Sequence, residues 1–248
     1  MKIVYHNNFF FARQDLCVII NSEVIFTHRF WIILTSMLFF CVSVMHLVAC
    51  YRRYPKLRSA TKVLLIPLLC ALYCSIAQEI RLLVIAALLF GWIGDVFLLL
   101  KGKQRFMLLG IVAFAFGHIC YIAATLTSYR APLRAVNLLI PIALCVLWMV
   151  FVSLKLLPSA PKSLRMPGFC YALLLSGTCL SALYQSLSTQ KDAFLIAFIG
   201  GLFFIISDTI LTGQEFRREL KHGNFYVMLT YIIAQTLLVI GLAQTGGV

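Results

Sequence analysis

The feature that leaves this chain the fewest options is a succession of apolar stretches, each of about 18 residues or more, running from residue 30 almost to the C-terminus. Eight of them lie at about residues 30–51, 60–77, 81–100, 106–127, 133–154, 166–187, 192–212 and 224–245. At a rise of about 1.5 Å per residue, each is long enough to cross a hydrocarbon core of about 30 Å. Lipid offers no partners to backbone N–H and C=O groups, which leaves helices and closed barrels as spanning forms, and the strict alternation of barrel strands is missing. With 62% hydrophobic and 12% charged residues, the chain is expected to be all-α: a polytopic transmembrane helical bundle of about eight helices over residues 29–248. Residues 1–28 mix "FFFA" and "LCVII" with Arg13, Asp15 and Glu23, without the ordered parts of a signal peptide, and read as an N-terminal interfacial or flexible extension.

A net charge of +13 could suggest nucleic acid, but the basic residues fall in short loops between spans and not on one soluble face. They serve as topology signals and headgroup contacts, so the expected partner is the lipid bilayer and no nucleic acid. Fourteen of the 21 Lys and Arg lie around residues 52–62, 101–105, 155–165 and 213–223, and seven lie on the side of the N-terminus. The positive-inside rule then puts both termini outside the cytoplasm of a multi-pass protein, in a bacterial inner membrane or the endoplasmic reticulum. The nine cysteines show no metal-type spacing and read as small apolar packing residues, with no disulfide framework.

Within this apolar sequence, "LFGWIGDVFL" at residues 89–98 aligns without gaps with "LFFIISDTIL" at residues 202–211. Leu89, Phe90, Ile93, Asp95 and Leu98 recur as Leu202, Phe203, Ile206, Asp208 and Leu211, and Gly94 faces Ser207. The two segments are the third and seventh spans, which is the pattern of a tandem four-helix repeat whose halves run in the same direction. Each aspartate then lies at a similar depth, on the side of the positive loops.

A charged Asp inside a span costs about 2.5 to 3.5 kcal/mol near the centre, so such residues normally face the bundle interior or a hydrated cavity. Two carboxyls brought together away from water can share one proton, which is the arrangement that acid and base chemistry needs. Transport of protons or cations, or two separate structural hydrogen bonds, are the other readings of the pair. His118 and Tyr121 in "FGHICY" share a face of the fourth span, and Tyr231 and Gln235 in "TYIIAQ" share one of the eighth. Asp95, Asp208 and His118 could in principle hold a metal, but no HExxH or His-rich cluster supports one, so no metal or other cofactor is expected. Lys62, at the start of the second span, reads as snorkelling to the surface, with a headgroup phosphate as the sharper alternative.

With these residues assembled, the sequence resembles the YhhN-like lysoplasmalogenase family of integral membrane hydrolases. The resemblance is carried by "GDVFLLL", "FGHICYIA", "FFIISDTIL" and "TYIIAQ" in order, and spans roughly residues 30–245. It departs where Pro67 follows Lys62 late, where Tyr231-Ile232 replaces a Tyr-Tyr pair, and where "GQEF" replaces a segment ending Asn-Lys-Phe.

The resemblance implies cleavage of the vinyl ether bond of a lysophospholipid substrate, lysoplasmenylethanolamine or lysoplasmenylcholine. Asp95 and Asp208 fall on the family's key aspartates. Lys62, His118, Tyr121, Ser207, Tyr231 and Gln235 are the expected substrate-binding residues, and the lipid is expected to reach them laterally from the cytoplasmic leaflet. A proton- or cation-coupled transporter and a metal-dependent lipid hydrolase are the competing expectations.

Overall fold

The computed structural model describes residues 4–100, 104–127, 139–218 and 220–245, with the backbone alone over residues 4–25. The helices in chain order are α1 (Val4–Arg52), α2 (Pro55–Ile76), α3 (Leu82–Leu99), α4 (Gln104–Thr127), α5 (Leu139–Phe151), α6 (Lys162–Thr189), α7 (Asp192–Phe216) and α8 (Gly223–Ala243). Eight segments, one in each helix with α5 extended to Ser159, are long and apolar enough to cross a membrane. No strand occurs among the described residues.

The backbone of the segment expected to be an extension is helical from Val4 and continuous with the first span. The side chains of residues 4–25, and residues 1–3, lie outside the described residues, as does the expected start of the fifth span at residues 133–138. The second span begins at Pro55, in the first turn, where a missing N–H deprives the helix of no bond. After Phe151, α5 passes through a π turn at Val152–Leu156 and a 3-10 turn at Leu157–Ser159.

Helix pairing follows a repeating order. In the first half α2 packs on α3, α3 on α4 and α4 on α6; in the second, α6 packs on α7, α7 on α8 and α8 back on α2. The pairs α3–α4 and α7–α8 are the most extensive, and glycine lets them approach. A Cβ on Gly200 would lie 2.7 Å from the Leu238 N and 2.9 Å from the Ala234 O, backbone atoms that cannot yield. The correspondence between halves breaks at α5, which touches α6 far less than α1 touches α2 and buries only Met149 before its π turn. The Trp148 Nε1–H donates to Thr209 Oγ1 at 3.0 Å and ties α5 to α7.

Both ends of the bundle are pinned. At the end carrying the positive loops, Tyr51 stacks on His222 with ring centroids 4.3 Å apart, joining the end of α1 to the turn before α8. At the opposite end, the Arg81 guanidinium donates to the Ala124 carbonyl, to Thr127 Oγ1 and to Thr245 Oγ1, gathering α3, α4 and the C-terminal segment.

Candidate active site

Asp95 and Asp208 line one cavity of about 590 Å³ in the half of the bundle nearest the positive loops. It reaches Leu100 and Gln104 at the facing ends of α3 and α4, Pro161 before α6, Phe216 at the end of α7 and Asn224 at the start of α8. Its walls are mostly apolar, with Leu98, Met107, Ile111, Leu156 and Leu164 among them. The two carboxyls that aligned in the sequence therefore open onto one cavity.

Two inter-helix contacts fix the aspartates in register. The Trp92 Nε1–H donates to the Val63 carbonyl at 2.9 Å, setting α3 against α2 one turn before Asp95. The Ser207 hydroxyl donates to the Val227 carbonyl at 3.1 Å, setting α7 against α8 beside Asp208. Ser207 also lines the cavity, although its hydroxyl proton is already used.

Each aspartate receives the end of a chain of hydrogen bonds of the same design. Tyr231 Oη donates to Asp95 Oδ2 at 2.7 Å; Gln235 Nε2 lies 3.5 Å from Tyr231 Oη; and Tyr121 Oη donates to Gln235 Oε1 at 2.7 Å. On the other side Tyr171 Oη donates to Asp208 Oδ2. His118 Nε2 is 3.4 Å from Tyr171 Oη and its Nδ1 is 3.0 Å from Thr178 Oγ1. With Nε2 protonated, both chains run hydroxyl, nitrogen donor, tyrosine, carboxylate, each link polarising the next. Phe114 and Phe204 separate the chains, Phe114 with its ring centroid 6.4 Å from both Tyr171 and Tyr231. Phe204 lies 4.8 Å from His118 and 5.5 Å from Tyr231.

This arrangement sorts the residues singled out in the sequence. Tyr231 lines the cavity, whereas His118, Tyr121 and Gln235 form a buried layer behind it and touch Tyr171 and Tyr231. Thus His118 meets a tyrosine and a threonine and not a carboxylate. Among the described residues, no three His, Cys, Asp or Glu side chains gather as a metal-ligand group. Tyr171, Thr178 and Phe114 were not foreseen; a lone tyrosine in "GFCYALLL" has no polar neighbour three or four residues away to mark it.

Lys62 requires a correction. It does not snorkel to the surface: its Nζ lies 3.0 Å from Asp95 Oδ1, with side-chain exposures of 14% and 3%. The energetic reason is that a carboxylate so deeply withdrawn from water needs a counter-charge, and α2 supplies one. Among the described residues no ion pair involves Asp208, so each aspartate has its own tyrosine donor and only Asp95 has a cation. Asp208 is also half-buried where Asp95 is buried.

None of the curated proteins and none of the solved structures matches this chain. Over residues 57–242, which hold both aspartates, both tyrosine chains and Lys62, the sequence matches the YhhN family, and the protein belongs to it.

Proposed function

We propose that the protein is a lysoplasmalogenase-type hydrolase, cleaving the vinyl ether of lysoplasmenylethanolamine or lysoplasmenylcholine to a fatty aldehyde and glycerophosphoethanolamine or glycerophosphocholine. The observation that carries the reading is the unequal pairing of two carboxyls in one apolar-walled cavity: Asp95 has a cation at 3.0 Å, and Asp208 has a tyrosine donor and, among the described residues, no ion pair. That inequality supports a division of roles. Asp95 is held as the carboxylate, and Asp208 is the member that carries a proton.

A vinyl ether opens when its β-carbon accepts a proton, which leaves an oxocarbenium ion at the α-carbon. Asp208 gives that proton, and Tyr171 keeps its other oxygen turned away from the substrate. Water then bonds to the α-carbon while Asp95 takes a proton from it, producing a hemiacetal. In the last step the Asp208 carboxylate removes the hemiacetal O–H proton, the aldehyde C=O forms and the bond to the glycerol oxygen breaks. Asp95 returns its proton to that oxygen, and both carboxyls are back at their starting states. Paired carboxyls serve oxocarbenium-like transition states in glycoside hydrolysis by the same logic. His118, Tyr121 and Gln235 act as positioning residues through Tyr171 and Tyr231.

The cavity's extension toward the positive loops supports a substrate drawn from the cytoplasmic leaflet, headgroup outward and alkenyl chain among the helices. Incubating the purified protein with vinyl ether, alkyl ether and acyl lysophospholipids of one headgroup tests the reading by mass spectrometry of the products. Aldehyde from the vinyl ether alone is expected. Fatty acid released from the acyl lipid, with the vinyl ether intact, would replace the proposed activity with that of an esterase.

A further inference from the structure

The cavity carries two charged side chains that the chemistry above does not use. Arg58 on α2 and Glu215 on α7 both line it, and neither forms an ion pair among the described residues. Lys62 and Asp95 neutralise each other. With Asp208 protonated, the remaining charges are therefore one positive and one negative, contributed by different helices. A net-neutral cavity with separated charges of opposite sign suits a zwitterion better than an anion.

Their depths form a ladder. Arg58 is four residues nearer the mouth than Lys62, whose Nζ marks the level of Asp95. At about 1.5 Å per residue that is about 6 Å along the helix. Glu215 is seven residues nearer the mouth than Asp208 and on the same face, or about 10 Å. In a glycerophosphoethanolamine lipid, five bonds separate the ether oxygen from phosphorus and nine separate it from nitrogen. An extended chain advances about 1.2 Å per bond, which gives about 6 Å and about 11 Å. An ether held between the aspartates thus brings the phosphate to the level of Arg58 and the nitrogen to the level of Glu215.

We propose that Arg58 and Glu215 are the headgroup-specificity residues, Arg58 taking the phosphate and Glu215 the ammonium, and that they favour a primary ammonium. The proposal rests on the reading of the cavity as a lysophospholipid site. A guanidinium matches phosphate oxygens with paired N–H donors, and a carboxylate accepts hydrogen bonds from a primary ammonium. A quaternary ammonium has no N–H to give and is better served by aromatic faces.

Uncleavable 1-O-alkyl lysophospholipids separate this proposal from the reaction. Binding to the purified full chain in detergent is measured for ethanolamine, choline and headgroup-free phosphate forms, with 1-O-alkylglycerol as the lipid without phosphate. The ethanolamine form is expected to bind about two- to fivefold tighter than the phosphate form, the scale of a solvated ion pair. Glu215→Gln should bring that ratio near one, and E215K should invert it. Arg58→Gln should weaken all three phosphate-bearing lipids by a similar factor and leave 1-O-alkylglycerol unchanged. A wild-type protein that prefers the phosphate form, or a Glu215→Gln protein whose ratio is unaltered, would overturn the assignment. If these binding patterns hold while vinyl ether lipids release no aldehyde, the proposed reaction fails and the headgroup site stands.

Discussion

Asparagine at position 208 should lower aldehyde release from lysoplasmenylethanolamine by about a thousandfold, within the range lost when a positioned general acid is removed. The amide keeps the volume of the carboxyl, and its oxygen can still accept from Tyr171 Oη. No ion pair is broken, because no cation pairs with Asp208 among the described residues. The unfolding midpoint of Asp208→Asn in detergent is therefore expected to match that of the wild type. Lipid binding should also be retained, so the loss should appear in kcat and not in KM. Rates of aldehyde formation, followed by mass spectrometry beside thermal unfolding, check both halves. Activity within tenfold of the wild type would move the acid to another group.

Lys62→Met is expected to act on stability as well as on chemistry. It strips the counter-charge from a carboxylate that is 3% exposed, and breaking a buried pair in this way costs about 3 to 5 kcal/mol. Adding Asp95→Asn removes the stranded charge, so the double variant should recover most of the lost stability. It should not recover activity, because Asp95 is also the carboxylate that takes a proton from water. The pair thus predicts strong coupling in unfolding experiments and none that rescues turnover. Equal unfolding midpoints for Lys62→Met and wild type would mean that the 3.0 Å contact does not hold the carboxylate charged.

The spans and the aspartate pair were legible because each follows from local sequence. Hydropathy over about 18 residues marks a helix that must sit in lipid, and "LFGWIGDVFL" against "LFFIISDTIL" marks two equivalent positions. Tyr121, Tyr231 and Gln235 stood out singly, as polar side chains in lipid that need partners. Their connection was not readable, because Tyr121 and Gln235 are 114 residues apart and meet only when α4 and α8 share a layer. Lys62 was misread because a lysine near a helix end reaches water in most spans, and only the seating of α2 on α3 turns it toward Asp95. Tyr171 was missed for a related reason: its partner Asp208 lies on the next helix. What distinguishes the two aspartates is therefore a property of helix packing and not of their motifs.

The most direct test is where solvent atoms appear in the products. With the wild-type protein in heavy water enriched in oxygen-18, and the aldehyde reduced as it forms, the account predicts one deuterium at the carbon next to the former carbonyl. It also predicts no oxygen-18 on the glycerophospholipid fragment, because the bond broken is the one between the α-carbon and the glycerol oxygen. Aldehyde free of deuterium at that carbon, or oxygen-18 on the glycerol hydroxyl, would contradict protonation of the β-carbon by Asp208.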